Sequence, residues 1–293
     1  MNFGVRWQAR RDTPLDLAFL KRTTKAPSPL RSASALHTNP MTSLKPTILR
    51  LDSIDSTNLE AMRQARAGAA EGLCVVAREQ TQGRGRLDRS WQSPKDAGLY
   101  FSIVLRPSVQ INSWPLITLM AALAVSDALL KACSLRADIK WPNDLCANDR
   151  KLCGILAETV DTEAGPAAIV GIGINLTADS LPATVSDLAT SVEAITNARP
   201  DSTQLLNELL KAIGERYELL QSPLGGEHTI REWCANSSYA IGRQVRVALE
   251  HDTFEGTTRG LESDGALRVE TAGGKIRLVR AGDVTALRAT NET

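Results

Sequence analysis

The chain has 293 residues, of which 43% are hydrophobic and 23% are charged, and its formal net charge is +1. This length usually corresponds to about two domains, and the hydrophobic fraction is too high for a globally disordered chain. The near-neutral charge argues against a protein that coats nucleic acid or anionic membrane, and no uninterrupted apolar run approaches the ~18 residues that a membrane-spanning helix requires.

Residues 1–44 are basic and acid-poor, with seven Lys or Arg against two Asp, and they show no sustained periodicity. Three interpretations fit this segment: a disordered basic extension, an organelle transit peptide, or a start codon assigned too early, with Met41 as the true first residue. Because this segment carries +5, the rest of the chain has a net charge of +1 minus +5, or −4.

From Thr47 onward the pattern becomes regular and predicts strands and helices in mixed order. The predicted strands are residues 48–51, 73–77, 99–105, 139–141, 152–159 and 167–175. Ser56-Thr57-Asn58 supplies N-cap chemistry for a helix that ends at Gly68, Ser113 is a candidate N-cap for a helix over residues 114–132, and Pro200-Asp201-Ser202 opens a third helix. Since the order is not a strict βαβ alternation, we expect an α+β domain with one mixed β-sheet flanked by helices.

After Ile241 the pattern changes to short stretches in which apolar and polar residues alternate. The apolar positions are Val245, Val247, Leu249, Leu267, Val269, Ile276 and Leu278. The glycine-containing segments 263–265 and 273–274 have the composition of hairpin turns. This part of the chain is therefore predicted to form a small all-β module, a compact barrel.

The most unusual segment is residues 80–91, here called the arginine loop. Gly83 and Gly85 let backbone N–H groups approach a ligand, while Arg84, Arg86 and Arg89 offer forked donors to phosphate or carboxylate. A solvated basic loop or an RNA contact explains the same composition equally well. The spacing matches neither a Walker A loop nor a Rossmann fingerprint.

Two further segments carry candidate site residues. In Lys-Trp-Pro-Asn-Asp at 140–144, Asp144 is placed to hold a magnesium ion or orient a ligand, and Lys151 opens the next strand. A hairpin with an ordinary surface lysine is the alternative, and we favour the functional interpretation. The glycines of residues 171–175 permit close approach of a flat ligand, although a β-bulge is the better interpretation of that segment alone.

Cysteines and histidines restrict the chemistry. The cysteines are scattered and form no C-x-x-C pair, which argues against a zinc finger or disulfide scaffold and favours a reducing, cytoplasmic compartment. They are Cys74, Cys133, Cys146, Cys153 and Cys234. His37, His228 and His251 are isolated, so a catalytic triad and a His-rich metal site both lack their parts. The catalytic means that remain are positioning and electrostatic stabilisation by Arg and Lys, which are typical of phosphoryl or nucleotidyl chemistry.

Together, these segments closely resemble the biotin–protein ligases. The resemblance rests on Ser56-Thr57-Asn58, Gln80, Gly-Arg-Gly-Arg at 83–86, Arg89, Trp91, residues 140–144, Lys151 with Gly154-Ile155-Leu156, and residues 171–175, all in the family's order. It implies a catalytic domain of the class II synthetase and biotinyl–lipoyl ligase type at 45–238 and a small Src-homology-3-like β-barrel at 239–293. The first 44 residues are too short for the winged helix-turn-helix of the family's repressors, so a catalytic-only member is expected.

The resemblance implies ATP-dependent attachment of biotin to one lysine of a biotin carboxyl carrier protein, through biotinyl-5′-adenylate and with Mg²⁺. The implied catalytic residues are Arg86, Asp144 and Lys151. The implied biotin-binding residues are Ser56, Thr57, Asn58, Gln80, Gly83, Arg84, Gly85, Arg86, Lys151 and Gly154. The implied nucleotide-binding residues are Arg89, Trp91, Lys140, Asn143 and Asn175, and no metal ligand is assigned.

Two alternatives remain at this stage. A lipoate or octanoyl–protein ligase shares the implied fold, although the arginine loop and residues 140–144 favour biotin. A nucleic-acid-binding module that uses the arginine loop is the second alternative, and it would bind with a steep salt dependence. Family members can pair through the edge of the central sheet, so a homodimer is a further possibility.

Overall fold

The computed structural model describes residues 44–181 and 187–287, all of which belong to one compact unit. The basic extension predicted for residues 1–44 therefore lies outside the described residues, except for Leu44. The same holds for residues 182–186 and 288–293.

A seven-stranded mixed sheet in the order β1-β2-β3-β7-β6-β5-β4 forms the larger part of the molecule. Its strands are β1 (Thr47–Leu51), β2 (Leu73–Ala77), β3 (Gly98–Leu105), β4 (Asp138–Lys140), β5 (Asp144–Ala147), β6 (Arg150–Thr162) and β7 (Gly165–Asn175). Only the β1–β2 pair is parallel; the other pairs in this sheet are antiparallel. The predicted mixed sheet is confirmed.

Helices cover both faces of this sheet. They are α1 (Thr57–Arg66), α2 (Pro115–Cys133), α3 (Val192–Thr196), α4 (Ser202–Leu220) and α5 (Gly225–Ala235). Alternate residues of the strands contact different helices: Cys74 and Ile103 join the large cluster around α2 and α4, whereas Val75 and Val104 join a small cluster under α1. Since successive side chains of a strand point to opposite faces, α1 lies on the face opposite α2.

Helix α2 is the central element of the core. By length and average composition it could cross a membrane, because its most apolar window has a mean hydropathy of 1.8. The expectation that no segment is apolar enough to do so rested on uninterrupted apolar runs, which polar residues break in this helix. Eleven of its residues are buried, and it packs against α4, α5 and the sheet. Its apolar character is thus explained by burial inside this protein.

The three helices whose starts were predicted differ in how they are capped. Asp201 caps α4, because its Oδ1 accepts hydrogen bonds from the Thr203 and Gln204 N–H groups at 2.8 and 3.1 Å. Ser56 occupies the N-cap position of α1 without a side-chain cap bond. The residue before α2 is Trp114, so the prediction of Ser113 as its cap is wrong.

The second sheet is five-stranded and antiparallel, in the order β11-β10-β9-β8-β12. Its strands are β8 (Ile241–Ala248), β9 (Thr253–Leu261), β10 (Leu267–Glu270), β11 (Ile276–Val279) and β12 (Asp283–Ala286). This arrangement is consistent with a Src-homology-3-like module, but β11 and β12 are edges that do not pair, so the strands do not close into a barrel. In β11 the alternating apolar residues Ile276 and Leu278 are 36% and 45% exposed, whereas Val279 is buried.

The two sheets share one hydrophobic core. Val245 and Val269 of the second sheet belong to the same buried cluster as α2. Trp141, which precedes a cis peptide bond to Pro142, donates from its indole Nε1 to the Gly265 carbonyl of the β9–β10 turn at 3.1 Å. The second sheet is therefore packed onto the first by apolar contact as well as by chain connection.

The cap of α4 yields a stability prediction. Replacing Asp201 by Ala removes the acceptor for two N–H groups and should lower the free energy of unfolding by about 1 kcal/mol. Asp201→Asn keeps a capping oxygen and should cost much less. Urea denaturation of both variants measures the difference, and equal stabilities would contradict the role of the cap.

Candidate active site

The candidate site is a cleft on the face of the large sheet that carries α1. Helix α1 covers only part of this face, and the cleft occupies the rest, above β3, β7 and β6. The lining residues are Ser56, Thr57, Asn58, Gln80, Arg84, Gly85, Arg86, Arg89, Ser90, Trp91, Phe101, Asn143, Asp144, Lys151, Gly154, Ile155, Leu156, Gly171, Ile172, Gly173 and Asp283. About 750 Å³ of empty space, including open solvent, lies between them.

The start of α1 forms one end of the cleft with Gln80. The Gln80 Oε1 atom accepts from the backbone N–H and the hydroxyl of Thr57, at 2.8 and 3.0 Å. Its amide nitrogen donates to Ser93 Oγ at 2.8 Å. Thr57 and Gln80 are thereby locked to each other, which creates a small polar wall with defined donor and acceptor positions.

Asn58 lies against the sheet because β7 has a glycine beneath it. Its Nδ2 donates to the Leu156 carbonyl at 3.1 Å and to Glu158 Oε2 at 2.9 Å. A Cβ at Gly171 would lie 2.0 Å from Asn58 Oδ1, so any larger residue would expel this side chain. Gly171 is therefore required by the close approach of Asn58.

Trp91 lies over another glycine of β7, Gly173. A Cβ at Gly173 would lie 2.6 Å from the Trp91 indole, and one at Gly154 would lie 2.9 Å from the same ring. β7 pairs in unbroken register with β3 and β6, so the β-bulge interpretation of residues 171–175 is wrong. The glycines instead make a smooth surface on which a flat group can lie.

The arginine loop closes over the cleft through pairs to three different parts of the chain. Arg84 contacts Glu158 on β6 at 3.0 Å, and Arg89 pairs with Asp283 at the start of β12. Arg86 donates to Asn143 Oδ1 at 3.0 Å and to the Gly282 carbonyl at 3.1 Å. Burial lowers the pKa of the Arg86 guanidinium below its usual value, with Asp283 and Asp144 acting against that shift.

A lysine and an aspartate face each other at the other end of the cleft. Lys151 Nζ lies 2.7 Å from Asp144 Oδ1 and 5.4 Å from the centroid of the Trp91 ring. Asn143 is held in place by a 2.7 Å bond from its Nδ2 to the Ile155 carbonyl. The cleft thus has a neutral polar end at Thr57 and a cationic end at Lys151 and Arg86.

The structure brings most of the expected site residues together, with three exceptions. Lys140 lies outside the cleft, with its Nζ 5.7 Å from the Tyr239 ring centroid. Asn175 is buried and donates to the Thr190 carbonyl at 3.0 Å, which fixes a neighbouring loop. Gly83 does not line the cleft either, but its carbonyl accepts from the Trp91 N–H at 2.8 Å and so shapes the arginine loop.

Sequence reasoning missed Asp283 and Phe101 as lining residues, and it missed the contacts of Glu158 and Ser102. Ser102 is a fully buried polar residue inside the apolar strand β3, and such a residue is a visible signal of an internal hydrogen bond. Asp283 gave no local signal, because it reaches the cleft from the second sheet.

Comparisons with known proteins agree with this geometry. Residues 50–175 match the Biotin/lipoate A/B protein ligase family, and residues 240–285 match the Biotin protein ligase C terminal domain. The biotin--[acetyl-CoA-carboxylase] ligase of Mycobacterium tuberculosis is 34% identical over 239 residues, which are 80% of this chain and 86% of that protein. The chain belongs to the biotin protein ligase family. This chain is also 33% identical to the bifunctional ligase/repressor BirA of Bacillus subtilis, and the match covers 80% of this chain and 72% of that protein.

Solved structures give the same result for the ligase fold. The biotin protein ligase from Aquifex aeolicus in complex with biotin and ATP is 30% identical with a TM-score of 0.71, covering 83% of this chain and 99% of that one. The Leishmania major biotin protein ligase in complex with biotinyl-5-AMP is 26% identical with a TM-score of 0.57, covering 81% of this chain and 100% of that one.

The glycine floor gives a testable prediction for the ligase. Gly173→Ala should displace Trp91, because the new methyl group would overlap the indole, and should weaken biotin binding by about tenfold, measured by titration calorimetry. The matched control is Gly214→Ala in α4, where nothing lies within 4 Å of the new methyl group. The control should bind biotin normally, and normal binding by Gly173→Ala would contradict the role of the glycine.

Proposed function

We propose that this protein attaches biotin to a lysine of a biotin carboxyl carrier protein in an ATP-dependent reaction that passes through biotinyl-5′-adenylate. The observation that carries the proposal is the polarity of the cleft, which has hydrogen-bonding groups at Thr57 and Gln80 and a cluster of cations at Arg86 and Lys151. Family membership supports it, as do the relatives named biotin--[acetyl-CoA-carboxylase] ligase.

In the first step a carboxylate oxygen of biotin attacks the α-phosphorus of ATP, and pyrophosphate leaves. Both reactants are anions, so positive charge is needed where they meet. Lys151 and Arg86 are the cations at that end of the cleft. We assign Lys151 to hold the biotin carboxylate and the α-phosphate during synthesis, and Arg86 to hold the phosphate of the adenylate once it has formed. Arg89 lies further along the same loop and is assigned to the nucleotide.

In the second step the neutral amine of the carrier lysine attacks the adenylate carbonyl. A new amide bond forms, AMP leaves with the bonding electrons, and the amine loses a proton to solvent water. The arginine loop has to retain the adenylate until the carrier arrives. Its pairs to Glu158, Gly282 and Asp283 support this role, because they tie the loop to both sheets.

Asp144 is assigned as the residue that positions Lys151. Its carboxylate lies 2.7 Å from the ammonium and is itself only 20% exposed. The Trp91 ring on the other side limits where Lys151 can move. A lysine held between a carboxylate and an aromatic face is a fixed point charge, which suits a reaction that depends on positioning.

The residues also fit magnesium carried by ATP. Among residues 44–181 and 187–287, no group of three or more His, Cys, Asp or Glu side chains could hold a metal on its own. Mg²⁺ is usually held by one or two carboxylates together with substrate phosphates and water. Asp144 is the carboxylate we assign, and the ion would supply charge neutralisation of the phosphates.

Attachment of lipoate or octanoate is less well supported. The first family match covers biotin and lipoate ligases alike, but the match over residues 240–285 is to the C-terminal domain of biotin protein ligases. No observation favours a nucleic-acid-binding function for the arginine loop, since its three arginines pair within the protein.

We also propose a domain boundary near residue 238, which is supported by the start of the match to the C-terminal domain of biotin protein ligases at residue 240.

Two finer proposals concern assembly and location. Beyond its pairing with β5, which ends at Gly154, β6 pairs only with β7 among the described strands. We assign this open edge to pairing with a second copy of the chain.

A reducing, cytoplasmic compartment is proposed because all five cysteines are free. Burial raises the pKa of Cys74 to about 12 and that of Cys146 to about 11.

The reaction can be tested by intact-protein mass spectrometry. With ATP, biotin and an isolated carrier domain, the wild-type protein should add the mass of one biotin, and lipoate should add none. Lys151→Ala should reduce pyrophosphate release at least a hundredfold, because it removes a charge from the reacting centre. Lys211→Ala, an exposed lysine of α4, is the control; modification by lipoate alone would overturn the assignment.

Arg86 should act on retention more than on synthesis. Arg86→Gly removes the bonds to Asn143 and Gly282, so we expect adenylate formation to continue while the intermediate escapes into solution. Mixing the variant with bystander proteins, ATP and biotin, followed by streptavidin blotting, should show biotin on many lysines. A pattern as selective as that of the wild type would count against this role.

A further inference from the structure

A chain of hydrogen bonds runs beneath the polar end of the cleft, from Glu158 through Asn58, Ser102 and Thr57 to Gln80; we call it the polar chain. Ser102 does not line the cleft and is 0% exposed. Its Oγ lies 2.6 Å from Asn58 Oδ1 and 2.8 Å from Thr57 Oγ1. The polar chain thus connects residues of α1, β3, β6 and the arginine loop.

The direction of the bonds is set at the Glu158 end. The Leu156 carbonyl and the Glu158 carboxylate, which is paired with Arg84, can only accept. The side of Asn58 that faces them must therefore be its NH₂ group, and Asn58 Oδ1 must face Ser102. Because Oδ1 can only accept, Ser102 gives its single proton to Asn58.

The direction is set independently at the Gln80 end. The backbone N–H of Thr57 can only donate, so the atom that faces it must be Gln80 Oε1. The Gln80 NH₂ group therefore points to Ser93 and keeps one further proton. The Thr57 hydroxyl lies between two acceptors, Gln80 Oε1 and the Ser102 oxygen. Whichever of them accepts its proton, that proton forms a hydrogen bond inside the protein and does not face the cleft.

A defined pattern faces the cleft as a result. The Thr57 hydroxyl can offer only a lone pair to a ligand, and Gln80 offers only an N–H. An acceptor beside a donor is complementary to a flat group that carries an N–H next to a C=O, which is the chemistry of one side of a cyclic urea. Biotin carries such a ring, so the pattern deepens the proposed function and rests on it.

We propose that Ser102 is a positioning residue that favours the ureido group by holding the Thr57 hydroxyl oxygen and the Asn58 side chain in place. It lies beneath the cleft, touches no substrate and acts through Thr57. Loss of the Ser102 hydroxyl leaves Asn58 Oδ1 buried without a donor and removes one of the two side-chain partners of the Thr57 hydroxyl. Gln80 Oε1 still accepts the Thr57 proton, so the Thr57 oxygen remains an acceptor but loses its fixed position.

The test compares wild type with Ser102→Ala, using biotin and two analogues in which a ring oxygen replaces one or the other ureido N–H. For Ser102→Ala we expect the Kd and KM of biotin to rise about tenfold while kcat stays within twofold, because binding and not chemistry is affected. For the analogue that lacks the N–H facing Thr57, the same substitution should leave binding unchanged. An equal loss for biotin and both analogues, or no loss for biotin, would overturn the proposal.

Two further sets of variants separate this role from a structural one. Ser180→Ala removes another buried hydroxyl, one that donates to the Thr177 carbonyl at 2.6 Å, and should not alter the Kd of biotin. Glu158→Gln keeps an oxygen that accepts from Asn58, beside the Leu156 carbonyl, and should preserve the preference for biotin. If the wild-type protein neither binds nor transfers biotin, the proposed function fails; if it does both and the variants show no selective loss, only the present proposal fails.

Discussion

The site depends on the absence of side chains along one face of β7. Gly171 leaves space for Asn58, Gly173 leaves space for Trp91, and Gly154 of the neighbouring strand continues the same surface. A Cβ at either β7 position would lie only 2.0 or 2.6 Å from the side chain above, which would have to move. Asn58 holds the polar end of the cleft and Trp91 borders the cationic end, so both halves of the site rest on this one surface.

The charges of the site are arranged around buried or half-buried pairs. Lys151 faces Asp144, Arg84 faces Glu158, and Arg86 has neutral partners at Asn143 and Gly282. Because Arg86 is half-buried and forms no ion pair with a described residue, its charge is incompletely compensated, and an anion that enters the cleft would supply the missing compensation. This explains why the loop contains arginines although the protein as a whole is nearly neutral.

Much of the fold could be predicted from the sequence, because strong periodicity is a local property. The apolar run of β2, the amphipathic α4 and the glycine turns of the second sheet were all visible in the residues themselves. The short helices α3 and α5 carry too little periodicity to be recognised. Ile276 and Leu278 alternate as expected, yet they face outward, since the phase of a short strand is decided by its partners.

The residues of the candidate site also fall into those that the local sequence reveals and those that depend on distant parts of the chain. Residues close together in the chain, such as those of the arginine loop, were recognisable as a group. Lys140 seemed equivalent to its neighbours Asn143 and Asp144, but the backbone after it turns at Pro142, and only the latter two reach the cleft. Asp283 and Ser102 could not be assigned, because their roles arise from pairing across long stretches of chain.

The position of Trp91 has a spectroscopic consequence. Indole emission responds to the water and charge around the ring, and Trp91 lies in the cleft beside the Lys151 ammonium with a buried Nε1 that has no hydrogen-bond partner among the described residues. The other three tryptophans of the described part, Trp114, Trp141 and Trp233, are buried in the core. Of the tryptophans in the described part of the chain, Trp91 is therefore the one whose fluorescence a ligand in the cleft would alter.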